Sequence, residues 1–210
     1  MHTSLAKPAK NAIPLHAVTA GQARVFLARQ KRGGLATATG FTGAAGQLAA
    51  LPDAKGGIAA WVLGLGEGKD QFAIAAAAEK LPAGTYKLGE VPAMQAGANA
   101  ALAWLMGGYH FGRYKKNDKK PVKLVAPPGV DAGEVTRIAQ NLFLARDLIN
   151  TPANDMGPAE LEAAARDLAE QHGAKVRVVS GAALTRDYPL IAAVGQGSEG
   201  APRLIEIVWG

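Results

Sequence analysis

Residues 145–161 read ARDLINTPANDMGPAEL, and this stretch decides how the chain is organised. It contains the end of one helix and the start of the next. Upstream, Asp131 is a cap candidate, and Val135, Ile138, Leu142, Ala145 and Leu148 recur at helical spacing, which predicts a helix from 131 to about 149. Asn150, Thr151 and Pro152 stop it. Gly157-Pro158 then places a proline in the first turn of a new helix, where its missing N–H costs nothing. Leu161, Ala165 and Leu168 form the apolar face of that helix, and Gly173 ends it. The helix at 131–150 is therefore the expected connector between two domains, 1–130 and 151–210.

Charge divides the chain a little upstream of this connector. Through Lys120 there are 15 Lys and Arg against 6 Asp and Glu, a balance of +9; from Pro121 onward the count is 8 against 11, or −3. The densest basic run is Arg113, Lys115, Lys116, Lys119 and Lys120, interleaved with Tyr109, Phe111 and Tyr114. Such a run meets phosphates or an acidic partner, or simply keeps a loop solvated after a helix. No nucleic-acid motif accompanies it, which favours the solvated loop.

Working outward, residues 1–12 are expected to be disordered. A strand is expected at 13–18, a capped short helix at 19–30, a strand at 35–39 and mostly loop from 40 to 57. The run IAAWVLGL at 58–65 is continuous and apolar between glycines, as a strand covered on both faces should be. A helix at 70–81 stopped by Pro82, a strand at 85–89, an alanine-rich buried helix at 94–109 and a strand at 122–126 follow. Beyond the connector, strands are expected at 175–180, 190–195 and 203–209, the last two joined by a hairpin-like glycine turn. Alternation of strands and helices predicts an α/β fold.

Composition narrows the classes. At 210 residues the chain is long enough for one large domain or two small ones at roughly 100–200 residues each. Hydrophobic residues make up 49%, with alanine the commonest of them, so large core side chains are few. With no cysteine there are no disulfides, thiolate metal sites or cysteine nucleophile. The opening MHTSLAKPAK has no apolar leader core, and no apolar run approaches the roughly 18 residues of a membrane span. A cytoplasmic location is expected, with no membrane partner.

Two glycine motifs invite a nucleotide reading, and context opposes both. Residues 195–200, GQGSEG, match GxGxxG, but Ala201-Pro202 leads into RLIEIVW, a strand, where the fingerprint needs a helix. Residues 64–69, GLGEGK, sit between a strand and a helix, yet lack the Walker spacing, and Asp70 stands where Ser or Thr is needed. Hydrolytic signatures are also missing. His2, His16, His110 and His172 are scattered, with no HExxH. Ser180 and Ser198 lie outside any GxSxG elbow. Asp147, Asp155, Glu160, Glu162, Asp167 and Glu170 form the densest carboxylate region. Glu160, Asp167 and Glu170 fall opposite the apolar face of their helix, which reads as a solvated surface.

The run 145–161 resembles the opening of the catalytic domain of the leucyl aminopeptidase (cytosol aminopeptidase) family. So does PLIAAVGQGSEGAPRLIEIVWG at 189–210, and YHFGRYK at 109–115 is similar to the segment that ends a helix in the family's N-terminal domain. The resemblance is firm from about Glu134 to Gly210 and architectural upstream of Met94. It implies an N-terminal mixed-sheet α/β domain, a connecting helix, and the beginning of an α/β/α zinc-peptidase-like catalytic domain. It also implies an enzyme that releases N-terminal amino acids from peptides with two divalent metal ions, Zn or Mn, and assembles as a hexamer. The family's Lys, Asp and Glu metal ligands lie in segments after the strand ending at Trp209-Gly210, which these residues do not include. No catalytic, substrate-binding or metal-binding role is therefore carried to any position here, including Asp147, Asp155 and Glu160. Asn150, Pro152 and Asn154 match the family's pattern and are expected to shape the turn.

The expectation is an aminopeptidase by family whose 210 residues are inactive alone and bind no metal specifically. An unfinished sheet at RLIEIVW is expected to leave apolar surface and a free edge, so that the chain self-associates or is marginally stable. The alternative is a binding or assembly module, since some relatives use the scaffold on DNA, with Lys115, Lys116, Lys119 and Lys120 as the contact. Nucleotide binding at the glycine turns ranks third.

Overall fold

A computed structural model describes residues 5–115 and 121–210. It is α/β and divides into two compact units, 1–144 and 145–210.

In the first unit, β1 (Ile13–Val18) leads into α1 (Ala20–Arg29), where the Gln22 side-chain oxygen accepts from the Thr19 N–H and hydroxyl. Then come α2 (Gly33–Ala38), β2 (Leu48–Pro52), β3 (Ile58–Gly64), α3 (Ala75–Lys80), β4 (Gly84–Leu88), α4 (Gly97–Gly107) and β5 (Val122–Leu124). The sheet order is β2-β3-β1-β4-β5, with β2 antiparallel to β3 and the other pairs parallel. Because side chains alternate along a strand, Leu15 and Ala17 face a core with Leu63, Ile74, Tyr86, Trp104 and Leu124, while Val18 and Val62 face Phe26, Leu27, Ala36 and Leu51. Both faces are covered, which explains the unbroken apolar run of β3.

Several local expectations change. A helix at 33–38 takes the place of the strand expected at 35–39. The start of α2 lies so close to the end of α1 that a Cβ on Gly33 would stand 1.9 Å from the Leu27 carbonyl oxygen, and the Thr37 and Thr39 hydroxyls donate back to Gly33 and Ala36 carbonyls. The expected 40–57 loop contains edge strand β2, with Pro52 at an irregularity in its pairing to β3. Of the helix expected at 70–81, only Ala75–Lys80 forms, because the Asp70 carboxylate accepts from the Phe72 N–H and holds a turn. The segment expected to be disordered is tied down in part: the Ala6 N–H donates to the Leu124 carbonyl (2.7 Å) and the Ala126 N–H to the Ala6 carbonyl (3.2 Å). Residues 1–4 of that segment lie outside the described residues.

Helix α5 (Ala132–Asn150) starts where Asp131 accepts from the Gly133 and Glu134 amides at 2.9 and 3.0 Å. Its buried stripe is Val135, Ala139 and Phe143, packed with Ala101 and Leu105 of α4. The expected stripe is rotated from this: Ile138 and Leu142 are each 40% exposed.

In the second unit, the end of α5 is closed by Thr151, whose N–H and hydroxyl both donate to the Asp147 carbonyl, at 3.0 and 2.6 Å. The turn that follows is fixed by an Asp155 N–H to Pro152 carbonyl bond of 2.9 Å. Helix α6 (Pro158–His172) ends on Gly173 at φ 65°. Next are β6 (Lys175–Ser180), α7 (Gly181–Asp187), α8 (Pro189–Gly195) and β7 (Arg203–Val208), with β6 and β7 antiparallel. The run at 190–195 is thus a helix, not a strand. Pro189 sets its first turn, and the amides of Ile191 and Ala192 bond to the Tyr188 carbonyl. The glycine turn after it joins helix to strand, so no hairpin forms there.

Candidate functional site

The second unit presents an apolar groove of about 640 Å³ between α6, α8 and β7, built on Leu161, Leu190, Ile191, Val194, Pro202 and Ile205. The apolar face of α8 points outward: Leu190 is 81% exposed and Val194 85%. On β7, Ile207 and, on the opposite side of the strand, Val208 are also exposed, as is Trp209 just beyond its end. At the rim, Arg203 reaches Glu162 (Nη1 to Oε2, 2.5 Å), and Arg166 bonds the other carboxylate oxygen at 2.7 Å. The Arg203 bond first, then that of Arg166, holds the Glu162 carboxyl below its ordinary pKa. This arrangement pins α6 to the start of β7. The groove offers apolar area with one paired ion cluster at its edge, which suits a packing surface rather than catalysis.

The glycine motifs are structural by geometry. In the 64–69 loop four amides are already committed: Gly64 to the Gln47 carbonyl, Leu65 to Val18, Gly66 to Gly43 and Gly68 to Leu65, all near 3 Å. These bonds interrupt any run of adjacent free N–H groups within the loop that could cradle a phosphate, and the next helix begins only at Ala75. In the 195–200 turn the Ser198 hydroxyl oxygen accepts from the Gly200 N–H at 3.1 Å, and Gly195 lies against Pro202, where a Cβ would come within 2.4 Å of its ring.

The polar residues do not converge. Among the described residues no three His, Asp or Glu side chains lie where they could hold one metal ion together. His16 is half-buried in the first unit, His110 and His172 are exposed, and His2 lies outside the described residues. Glu160 accepts from the Gly157 N–H at 3.0 Å and so caps its own helix, while Asp167 and Glu170 face solvent. Of the basic run, Arg113 lies 5.8 Å from the centre of the Tyr114 ring, and Lys115 is exposed. Lys116, Lys119 and Lys120 lie outside the described residues. Among the described residues no helix is long and apolar enough to cross a membrane. The Glu162–Arg203 pair escaped the sequence reading, because its partners are 41 positions apart and only the Glu162–Arg166 half has helical spacing.

Comparison with known proteins supplies what the geometry leaves open. Residues 13–127 match the family model described as M17 aminopeptidase, N-terminal domain, and residues 143–210 match that of the cytosol aminopeptidase family, catalytic domain. A probable cytosol aminopeptidase of Streptomyces avermitilis is 36% identical over 121 residues, covering 50% of this chain and 24% of the relative. The crystal structure of cytosol aminopeptidase from Coxiella burnetii superposes with a TM-score of 0.86 at 31% identity, over 99% of this chain and 46% of that one. The bottromycin maturation enzyme BotP, solved in complex with Mn, gives a TM-score of 0.74 at 28% identity over 94% of this chain and 45% of its own. The chain thus spans less than half the length of these relatives. The match over 13–127 covers more than half of its residues, and the chain belongs to the M17, or cytosol, aminopeptidase family.

Proposed function

We propose that this chain is the N-terminal domain (1–130), connecting helix (131–150) and first part of the catalytic domain (151–210) of a metal-dependent aminopeptidase that removes N-terminal amino acids from peptides. The observation that carries the reading is the outward apolar face of α8 and β7, on the residues that match the family's catalytic domain. A face of that kind belongs inside a larger domain, and the related structures are about twice as long. The two divalent ions, Zn or Mn, are proposed to bind elsewhere in the complete catalytic domain. The complex of BotP with Mn supports manganese for that relative. In the enzyme the present residues serve as scaffold: the Glu162, Arg166 and Arg203 cluster and the 150–158 turn fix α6 against β7. Peptides as substrate, a cytoplasmic location and a hexameric assembly belong to the same proposal.

Two assays test it. The 210-residue chain, incubated with leucine p-nitroanilide and Mn²⁺ or Zn²⁺, is expected to show no turnover; turnover abolished by a chelator overturns its predicted inactivity. Fused to the remaining C-terminal part of the Coxiella enzyme, it is expected to give chelator-sensitive hydrolysis. A folded chimera with none rejects the aminopeptidase reading.

A further inference from the structure

In the first unit the chain runs from β1 to β3 on one side and then crosses to β4 on the other, so the strand order reverses between β1 and β4. Open α/β sheets leave a crevice at the C-terminal ends of such a pair. Here the segment after β4 closes it. The Gly89 N–H donates to the Leu15 carbonyl at 2.8 Å and the Ala17 N–H to the Glu90 carbonyl at 2.9 Å. The next bond breaks the main-chain pattern: the Glu90 N–H donates to Nδ1 of His16, also at 2.9 Å. The ring sits 5.1 Å from that of Phe26 on α1, and it fits only because residue 89 is glycine, where a Cβ would lie 2.7 Å from it.

We propose that His16 is a proton-sensitive latch, holding the Glu90 segment across the β1–β4 crevice while its imidazole is neutral and releasing it on protonation. Neutral imidazole accepts at one nitrogen, whereas protonated imidazole has only donors. A proton on Nδ1 would set one N–H against another. The charged groups around it are Glu90 and Arg29 of α1, paired with each other at 3.2 Å; the neighbour in register on β3 is the uncharged Val62. Burial lowers the His16 pKa and the Glu90 carboxylate acts in the opposite sense, so the neutral, latched form persists below the usual imidazole range.

The experiment is an NMR titration of the 210-residue chain, following the His16 ring and hydrogen exchange at the Glu90 amide from about pH 7.5 to about pH 5. Protection of that amide, corrected for intrinsic exchange, is expected to fall about tenfold in step with His16 protonation, the worth of one hydrogen bond. In His16→Asn, the side-chain oxygen keeps an acceptor near the Nδ1 position without titrating, and protection is expected to stay flat. In Glu90→Gln, loss of the carboxylate is expected to move release to lower pH. An amide that stays protected while His16 titrates in the unaltered chain overturns the proposal, as does an unchanged midpoint in Glu90→Gln.

Discussion

Replacing Leu190 and Val194 with glutamine together tests whether the α8 face is an interface. Both side chains stand almost free, at 81% and 85% exposure. Fully burying a leucine or valine is worth about 1.5–3 kcal/mol, so an interface covering both gains roughly 3–5 kcal/mol from them. That corresponds to a change of roughly 10²- to 10³-fold or more in association. The cost to folding should be small, since exposed substitutions usually stay within about 0.5 kcal/mol each and glutamine suits a helix at least as well as valine. Light scattering after size exclusion, over a wide concentration range, is expected to show the unaltered chain associating and the double variant shifted towards monomer. Urea unfolding is expected to give nearly the same midpoint for both. In the Coxiella chimera, where the face is proposed to be covered, the same pair should lower stability by the full roughly 3–5 kcal/mol. Unchanged association, or a loss in the chimera no larger than in the 210-residue chain, refutes the reasoning.

Two further outcomes follow from local geometry. Gly107→Ala would place a Cβ 2.2 Å from the Ala75 carbonyl oxygen, where α4 meets α3, and the backbone must shift at a cost of about 1–3 kcal/mol, measurable by denaturant unfolding. Glu162 titrates below its ordinary value in the folded chain because Arg203 and Arg166 bond to it, so its stabilising contribution is complete above the unfolded carboxylate pKa and is lost as pH falls through the lowered folded one. The stability of Glu162→Gln is expected to vary less with pH in that acid window than that of the unaltered chain; identical pH profiles would count against the pairing.

Features decided within a few residues were legible in the sequence. Asp131 begins α5, Thr151 and Pro152 end it, Gly157-Pro158 begins α6 and Gly173 closes it, because these signals act within about one turn of the helix end. Strands β1 and β3 were also legible, the latter as an unbroken apolar run covered on both faces. Short apolar segments were not. Residues 33–38 and 190–195 hold three and five hydrophobic residues with no full period, and apolar periodicity by itself does not distinguish strand from helix in so short a run. Contact with α1 decided the first, and Pro189 with its turn on Tyr188 decided the second.

By itself, the sequence determined the α/β class, the helix boundaries around 150 and the family, because capping, proline and glycine signals and the family motif are written contiguously. Tertiary structure alone decided which face of α5 is buried, that β2 is an edge strand, that Glu162 meets Arg203 and that His16 takes the Glu90 amide. Each of these joins residues far apart in the chain, and packing brings them together through a geometry that no local pattern encodes.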